Sequence, residues 1–315
     1  MLLLLYLSII GSLFLLTRRY CLSSVWIPGP SGMATLFEAW TQFRNERAIA
    51  LCPTSLEADY KQAGKWLARC PITDLSQGRA VLTWVLGEKP VKSARRISMY
   101  VKSLYRWAAS EDIGLLEKNP IASFKMPKPP QEDEDIIVIP RNEVAIVLIA
   151  LEGRSRKPQA NWSAYAEFML QTAMRTGEVR AMKWEDIKEN KILVHSNYTL
   201  THGHKNSTKT NKKRWVPLNA RSQELLAAQP KTNDYIFPYN RYAYQSWFYD
   251  RMKETHSAGL TSHRYRPYDL RHSAISRWIE AQIPVAQVAN WAGNSSEVIW
   301  KHYVNVTQEY EMPIL

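Results

Sequence analysis

The sequence predicts a mainly α-helical protein of two domains, the second of which carries a small β-sheet or hairpin. Three observations lead there. Apolar residues recur at helical spacing from Met33 to about Lys128, and again from about Ile139 onward. A stretch punctuated by Pro120, Pro127, Pro129 and Pro130 lies between the two runs. One segment, Lys191 to Leu218, departs from the helical period: Ile192, Leu193 and Val194 open it, Arg214, Trp215, Val216 and Pro217 close it, and polar turn formers lie between. The length of 315 residues agrees, since a domain averages roughly 150.

The chain opens on Met1–Leu16, almost wholly apolar, followed by Arg18 and Arg19. A spanning helix needs about 20 residues, and the basic start of a signal peptide is missing. If the stretch inserts, the two arginines hold the downstream chain in the cytoplasm. Pro28, Gly29, Pro30, Ser31 and Gly32 then break the chain, and Met33 stands where the first globular helix begins. Residues 1–32 are read first as a misassigned start or dispensable extension, and second as a membrane anchor over residues 1–20.

Residues 33–128 form the first domain. Leu36, Ala39, Trp40 and Phe43 share one helical face. A second helix is expected from about Ser55, as N-cap, to Ala68, and a third from near Asp74. The fourth, Val91 to Ala109, places Val91, Ala94, Val101, Leu104, Tyr105 and Ala108 on one face. Lys92, Arg95, Arg96, Lys102 and Arg106 lie largely on the other, which is either a surface for a phosphate backbone or an ordinary solvated face. Residues 129–138, with the acidic run Glu132–Asp135, form the linker, and residues 139–315 the second domain. There, helices are expected over Arg141–Leu151 and Ala160–Arg175. Helices return from about Gln223, and Ser273–Ala292 is amphipathic.

Lys and Arg number 41 against 29 Asp and Glu, a net charge of +12. Such an excess favours a polyanionic partner, nucleic acid first, although it also serves solubility. The three cysteines, Cys21, Cys52 and Cys70, form no CxxC pair, which argues against a disulfide framework or a zinc site and for a reducing, cytoplasmic compartment. His195, His202 and His204 cluster near the hairpin, a weak pattern for a metal.

Four segments of the second domain are distinctive. They are Thr172-Ala173-Met174-Arg175-Thr176-Gly177-Glu178; Thr208-Lys209-Thr210 followed by Lys213–Leu218; Tyr268-Asp269-Leu270-Arg271-His272-Ser273; and Trp291-Ala292-Gly293-Asn294 with Tyr303 nine residues on. In order and spacing they resemble the tyrosine recombinase (phage integrase) family. The resemblance implies a clamp of two domains, a helical core-binding domain and an α+β catalytic domain. It implies catalytic arginines at Arg175 and Arg271, a catalytic lysine at Lys209 and a nucleophile at Tyr303. It further implies Tyr268 and Asn294 at two positions where the family has histidine, or histidine or tryptophan, and supporting roles for Glu178 and His272. The family glycine of the first segment is Ala173 here. Tyrosine at the first histidine position resembles a variant set in recombinases of some cyanobacterial mobile elements.

These residue types suit one chemistry. Attack on a phosphodiester builds negative charge on the non-bridging oxygens, and two guanidiniums can clamp them. A phenol of ordinary pKa near 10 needs a base or a strongly positive site, and Lys209 can protonate the leaving 5′ oxygen. A 3′-phosphotyrosine preserves the bond energy, so neither ATP nor metal is called for and no cofactor is expected. Each role has a plainer rival: a surface salt bridge or a DNA-backbone contact for Arg175 and Arg271, a DNA-backbone contact for Lys209, a packed aromatic for Tyr268, and a helix start at Asn294-Ser295-Ser296-Glu297 for Asn294. Tyr310 competes with Tyr303. Arg264 and Arg266, beside His263, are read as further DNA contacts.

The expected function is site-specific cutting and rejoining of duplex DNA that integrates or excises a mobile element, in a nucleoid-associated enzyme. By resemblance it works as a homotetramer, with the segment from about Val304 to Leu315 exchanged between neighbours and an accessory DNA-bending factor as a further partner. The rivals are a DNA-binding relative that does not cut and a membrane-anchored protein in which DNA binding is secondary.

Overall fold

The computed structural model describes residues 34–51, 53–128, 136–152, 161–199, 203–208, 212–238 and 241–304. The chain divides into two compact units, Met1–Gln131 and Glu132–Leu315.

The first unit is helical. Helix α1 (Leu36–Ala50) starts at Thr35, whose Oγ1 accepts from the Glu38 amide at 3.3 Å while Glu38 takes the Thr35 amide at 2.8 Å; two otherwise orphaned donors are thereby satisfied. The run α2 comprises Pro53–Ser55, a π-helical turn Leu56–Tyr60 and Lys61–Leu67. Ser55 is therefore not an N-cap: its backbone is helical and its side chain caps nothing, because the helix already begins at Pro53. Helix α3 (Gly78–Gly87) starts four residues later than Asp74. Asp74 instead builds a turn, accepting from the Ser76 amide at 2.8 Å.

Helix α4 (Val91–Ala108) packs on α1 and α3. Its expected apolar face is buried at Ala94, Val101, Leu104, Tyr105 and Ala108, with Ile97 added and Val91 only half-buried. Trp40, Phe43, Tyr60 and Trp107 form a linked aromatic cluster at the centre of this unit. Full burial of one such ring is worth roughly 1.5–3 kcal/mol.

The second unit surrounds α6 (Trp162–Thr172), on which α5 (Arg141–Leu151), α8 (Ala220–Ala227) and α10 (Pro267–Glu280) pack. The side-chain oxygen of Asn161 caps α6, accepting from the Ala164 amide at 2.9 Å. The helix ends at Thr172, three residues short of the expected Arg175, because Ala173 adopts a left-handed backbone with φ +51°. That conformation costs a non-glycine residue roughly 1–2 kcal/mol. The change from the family glycine to Ala173 is thus more than a size-neutral one.

Among the described residues, the expected β region resolves into five short strands: β1 (Ile187–Lys188), β2 (Lys191–Val194), β3 (Asn197–Thr199), β4 (Gly203–Lys205) and β5 (Arg214–Pro217). One antiparallel sheet has the order β1-β2-β5, with Ile192 opposite Val216, and β3 pairs with β4. Helix α7 (Thr176–Ala181) lies against β3. A Cβ on Gly177 would sit 2.0 Å from Asn197 Oδ1 and 2.9 Å from the Tyr198 carbonyl, so only glycine permits that approach.

Helix α9 (Arg241–Ser257) follows, and α10, α11 (Val285–Ala292) and α12 (Ser296–Tyr303) close the unit. The predicted amphipathic stretch Ser273–Ala292 is two helices rather than one, because Pro284 precedes α11. Ala173, Ala274, Ile275, Val288, Ala289, Ala292 and Ile299 form their shared apolar cluster, and Tyr303 packs against it. Among the described residues, no helix is long and apolar enough to cross a membrane. The apolar stretch Met1–Leu16 lies outside them.

Candidate active site

The site is built on the ends of four helices. Arg175 precedes α7, and its amide donates to Glu178 Oε2 at 2.9 Å. Arg271 and His272 lie in the first turns of α10. That helix is started by Pro267 and by Asp269, which accepts from the Arg266 amide at 2.7 Å. Asn294 follows the C-terminus of α11, and Tyr303 is the last residue of α12.

Glu178 is the hub. Its side chain is 1% exposed. Oε1 accepts from Arg175 Nη1 at 3.0 Å and Arg214 Nη1 at 3.1 Å, and Oε2 accepts from Arg214 Nη2 at 2.7 Å. Burial alone pushes this carboxyl up, but the hydrogen bond and charge of Arg214, with the charges of Arg175 and Arg271, outweigh it and hold Glu178 below the usual carboxylate range.

Three arginines meet one helix end. The carbonyls of Trp291, Ala292 and Gly293 accept, respectively, from Arg214 Nε at 2.8 Å, Arg271 Nη2 at 2.8 Å and Arg175 Nη2 at 3.0 Å. Arg271 Nη1 also donates to the Ala173 carbonyl, just past the end of α6. The negative ends of two helices thus face cations that, among the described residues, share the carboxylate of Glu178. Burial, reinforced by the charge of Arg175, lowers Arg271 to about 10, which still leaves it cationic at neutral pH.

Gly293 makes this possible. Its φ is +66°, and a Cβ would lie 2.8 Å from Arg214 Nη1. Gly293→Ala is therefore expected to lower stability by at least about 1–2 kcal/mol from the left-handed backbone alone, and to shift Arg214. Urea unfolding measures it; a loss below about 0.5 kcal/mol would show that the close approach does not matter.

The two expected catalytic arginines converge on one atom. Asn294 Oδ1 accepts from Arg175 Nη2 at 2.9 Å and from Arg271 Nη2 at 3.1 Å. Asn294 is not the helix cap. Ser295 is, with Oγ accepting from the Val298 amide at 3.3 Å.

Tyr303 Oη is 2.7 Å from His272 Nδ1. Burial is the main cause raising Tyr303 to about 12; Tyr268 adds to it, and Arg271 and Arg175 oppose it. His272 therefore touches the phenol itself, where the sequence suggested only a supporting position. Tyr268 is 44% exposed, with its ring edge-on to His272 at 4.8 Å between centroids, so it is not a packed core aromatic.

Burial lowers His272 to about 4, against its ordinary 6.5. The folded chain thus prefers the neutral ring, and the unfolded chain binds a proton more readily below pH 6.5. Its contribution to stability is complete above about 6.5 and declines as pH falls toward 4. Thermal unfolding between pH 7 and about 5.5, above the carboxylate range, should show the midpoint falling with acid. His272→Asn should flatten that fall, and an unchanged slope would refute the assignment.

Lys209 lies outside the described residues, as do His202 and Tyr310. Thr208, just before Lys209, is buried, and its Oγ1 donates to the Lys212 carbonyl at 3.0 Å. His195 Nε2 is bonded to Asp186 Oδ1 at 2.7 Å, and His204 faces the Tyr235 ring. Among the described residues, no cluster of three His, Cys, Asp or Glu side chains could hold a metal ion.

The basic residues of α4 divide. Lys102 Nζ donates to the Phe124 carbonyl at 2.8 Å, Arg95 donates to the Pro127 carbonyl and Arg96 pairs with Asp59. Lys92 and Arg106 are exposed, as is Arg264, while Arg266 pairs with Asp269 at 3.2 Å. In the sequence, Arg214 reads only as a hairpin residue. The available cue was a charged residue opening the alternating strand Arg-Trp-Val-Pro on its buried side.

The sequence pattern of the phage integrase family matches residues 139–310. A shufflon-specific DNA recombinase of Escherichia coli is 30% identical over 141 residues, covering 44% of this chain and 33% of that protein. The prophage ps2 probable integrase of Lactococcus lactis subsp. lactis (strain IL1403) is 27% identical over 240 residues, covering 65% of this chain and 61% of that one. The chain thus matches less than two thirds of either relative's length. In fold, it resembles the Tn1549 transposon integrase in complex with transposon right end DNA, with TM-score 0.69, 14% identity, and coverage of 87% and 96%. It also resembles a lambda integrase tetramer bound to a Holliday junction, with TM-score 0.66, 19% identity, and coverage of 94% and 88%.

Proposed function

The chain belongs to the phage integrase family of tyrosine recombinases, and from that premise we propose that it cleaves and rejoins duplex DNA at specific sites through a 3′-phosphotyrosine at Tyr303. One observation carries the reading: the Nη2 atoms of Arg175 and Arg271 point at a single acceptor, Asn294 Oδ1. Two cationic donors sharing one oxygen are matched to a non-bridging phosphate oxygen, on which charge grows as the phosphorus is attacked.

A phosphodiester entering the site replaces the Asn294 oxygen. The carboxamide, turned about its last torsion, then offers Nδ2 to the same phosphate. Glu178 and the three carbonyls at the end of α11 keep the guanidiniums in place, so little reorganisation is needed when charge develops. Lys209 supplies the proton to the departing 5′ oxygen. Lys92, Arg95, Arg96, Lys102, Arg106, Arg264 and Arg266 contact the DNA backbone. Several protomers, in a homotetramer, bring two DNA sites together to integrate or excise an element, with a DNA-bending factor as a further partner. The enzyme acts in the cytoplasm at the nucleoid.

The test is to mix the full chain with nicked duplexes taken from the DNA flanking its gene. A protein–DNA adduct that survives denaturation supports cutting. No adduct on DNA that the chain demonstrably binds favours a relative that binds without cutting.

A further inference from the structure

We propose that His272 is the base that accepts the Tyr303 proton as the phenol oxygen attacks phosphorus. The inference rests on the recombinase reading and adds a catalytic residue to it.

His272 Nδ1 lies 2.7 Å from Tyr303 Oη, hydrogen-bond range for proton transfer, although the residues are 31 apart in the chain. Both are seated by packing: α10 and α12 share the apolar cluster of Ala274, Ile275 and Ile299. With Tyr303 donating, the neutral ring carries its own proton on Nε2 and presents a lone pair at Nδ1.

Among the described residues, the neighbouring carboxylates and the Tyr268 phenol leave this role to His272. Tyr268, at the position of the family's first histidine, has no ring nitrogen to take a proton. Its ring lies edge-on to His272 and supports the imidazole. Glu178 is occupied by Arg175 and Arg214, and Asp269 by Arg266. The charged and titratable groups facing His272 are Asp269, Arg271 and Arg266 from α10 and its start, and His302 from α12.

The step balances. The Tyr303 O–H bond breaks as the Oη–P bond forms, and the proton passes to His272 Nδ1. The electron pair of the P–O5′ bond leaves with the 5′ oxygen, which is protonated by a separate acid, Lys209 in the proposed mechanism. In rejoining, the imidazolium returns its proton to the tyrosine oxygen. Burial keeps His272 near 4 and Tyr303 near 12, so transfer accompanies attack and does not precede it. An anionic phosphodiester beside the ring raises the basicity of His272.

The experiment uses the full chain and nicked duplexes from the DNA flanking its gene, made with an ordinary scissile bond and with sulfur replacing the bridging 5′ oxygen. Sulfur leaves without an acid, which isolates the nucleophile's proton. In His272→Asn the side chain can still accept from Tyr303 but cannot hold a proton. The expected result is adduct formation slowed about 100-fold or more on both substrates, with DNA binding unchanged. The acid limb of the pH–rate profile should also be lost. A variant within threefold of wild type with the same profile overturns the proposal. So does a defect that the sulfur substrate removes, since His272 would then serve the leaving group. Should the variant not fold, the wild-type profile on the sulfur substrate decides: a rate falling as pH drops toward about 4 is expected, and a rate that holds from pH 7 down to about 4 overturns the assignment. Wild-type adduct formation is the control, because its failure strikes the recombinase reading instead.

Discussion

Tyr303→Phe is expected to eliminate the denaturation-resistant protein–DNA adduct while DNA binding stays within about twofold. The substitution removes one oxygen. That oxygen is the one bonded to His272 at 2.7 Å and subject to the charges of Arg271 and Arg175. Removing a covalent nucleophile costs about six orders of magnitude in the known serine hydrolase case. Here the adduct is itself the product of that oxygen, so the loss should be complete. The fold should tolerate the change: the ring remains packed against the cluster of Ala274, Ile275 and Ile299, and one half-buried hydrogen bond is worth about 1 kcal/mol. An adduct persisting in the Phe variant would move the nucleophile elsewhere, Tyr310 being the competitor in sequence.

Glu178→Ala is expected to produce the largest loss of stability, about 3–5 kcal/mol, the range for breaking a buried ion pair by removing one partner. The reason is the company it keeps. Arg214, whose side chain is 4% exposed, gives two hydrogen bonds to Glu178, and Arg175 gives two more through its amide and Nη1. Without the carboxylate, Arg214 is buried with no counter-ion, and Arg175, Arg214 and Arg271 repel one another across the site. Glu178→Gln should cost less, since it keeps an acceptor and the shape while losing the charge. Urea unfolding of the three proteins measures the series, and an Ala variant within 1 kcal/mol of wild type would refute the hub role.

Much of this was legible in the sequence for a definite reason. Helices announce themselves by period, and the buried face of α4 was readable because Ala94, Val101, Leu104, Tyr105 and Ala108 recur at helical spacing. Arg175, Arg271, Asn294 and Tyr303 stood out because their segments follow one another in the family's order. Boundaries set by single backbone angles were less legible. Nothing local announced that Ala173, a good helix former, would turn left-handed and end α6 before Arg175. Ser55 looked like a cap, yet the chain was already helical at Pro53.

By itself the sequence determined the helical class, the small β region and the family, because period, turn chemistry and motif order are properties of a linear chain. Tertiary structure alone decided that the carbonyls of residues 291–293 each take a different arginine, that Arg214 shares Glu178 with Arg175, and that His272 lies against Tyr303. These contacts join residues 21 to 118 positions apart. Their geometry follows from how α6, α10, α11 and α12 pack around one apolar cluster, and no local pattern of residues encodes that packing.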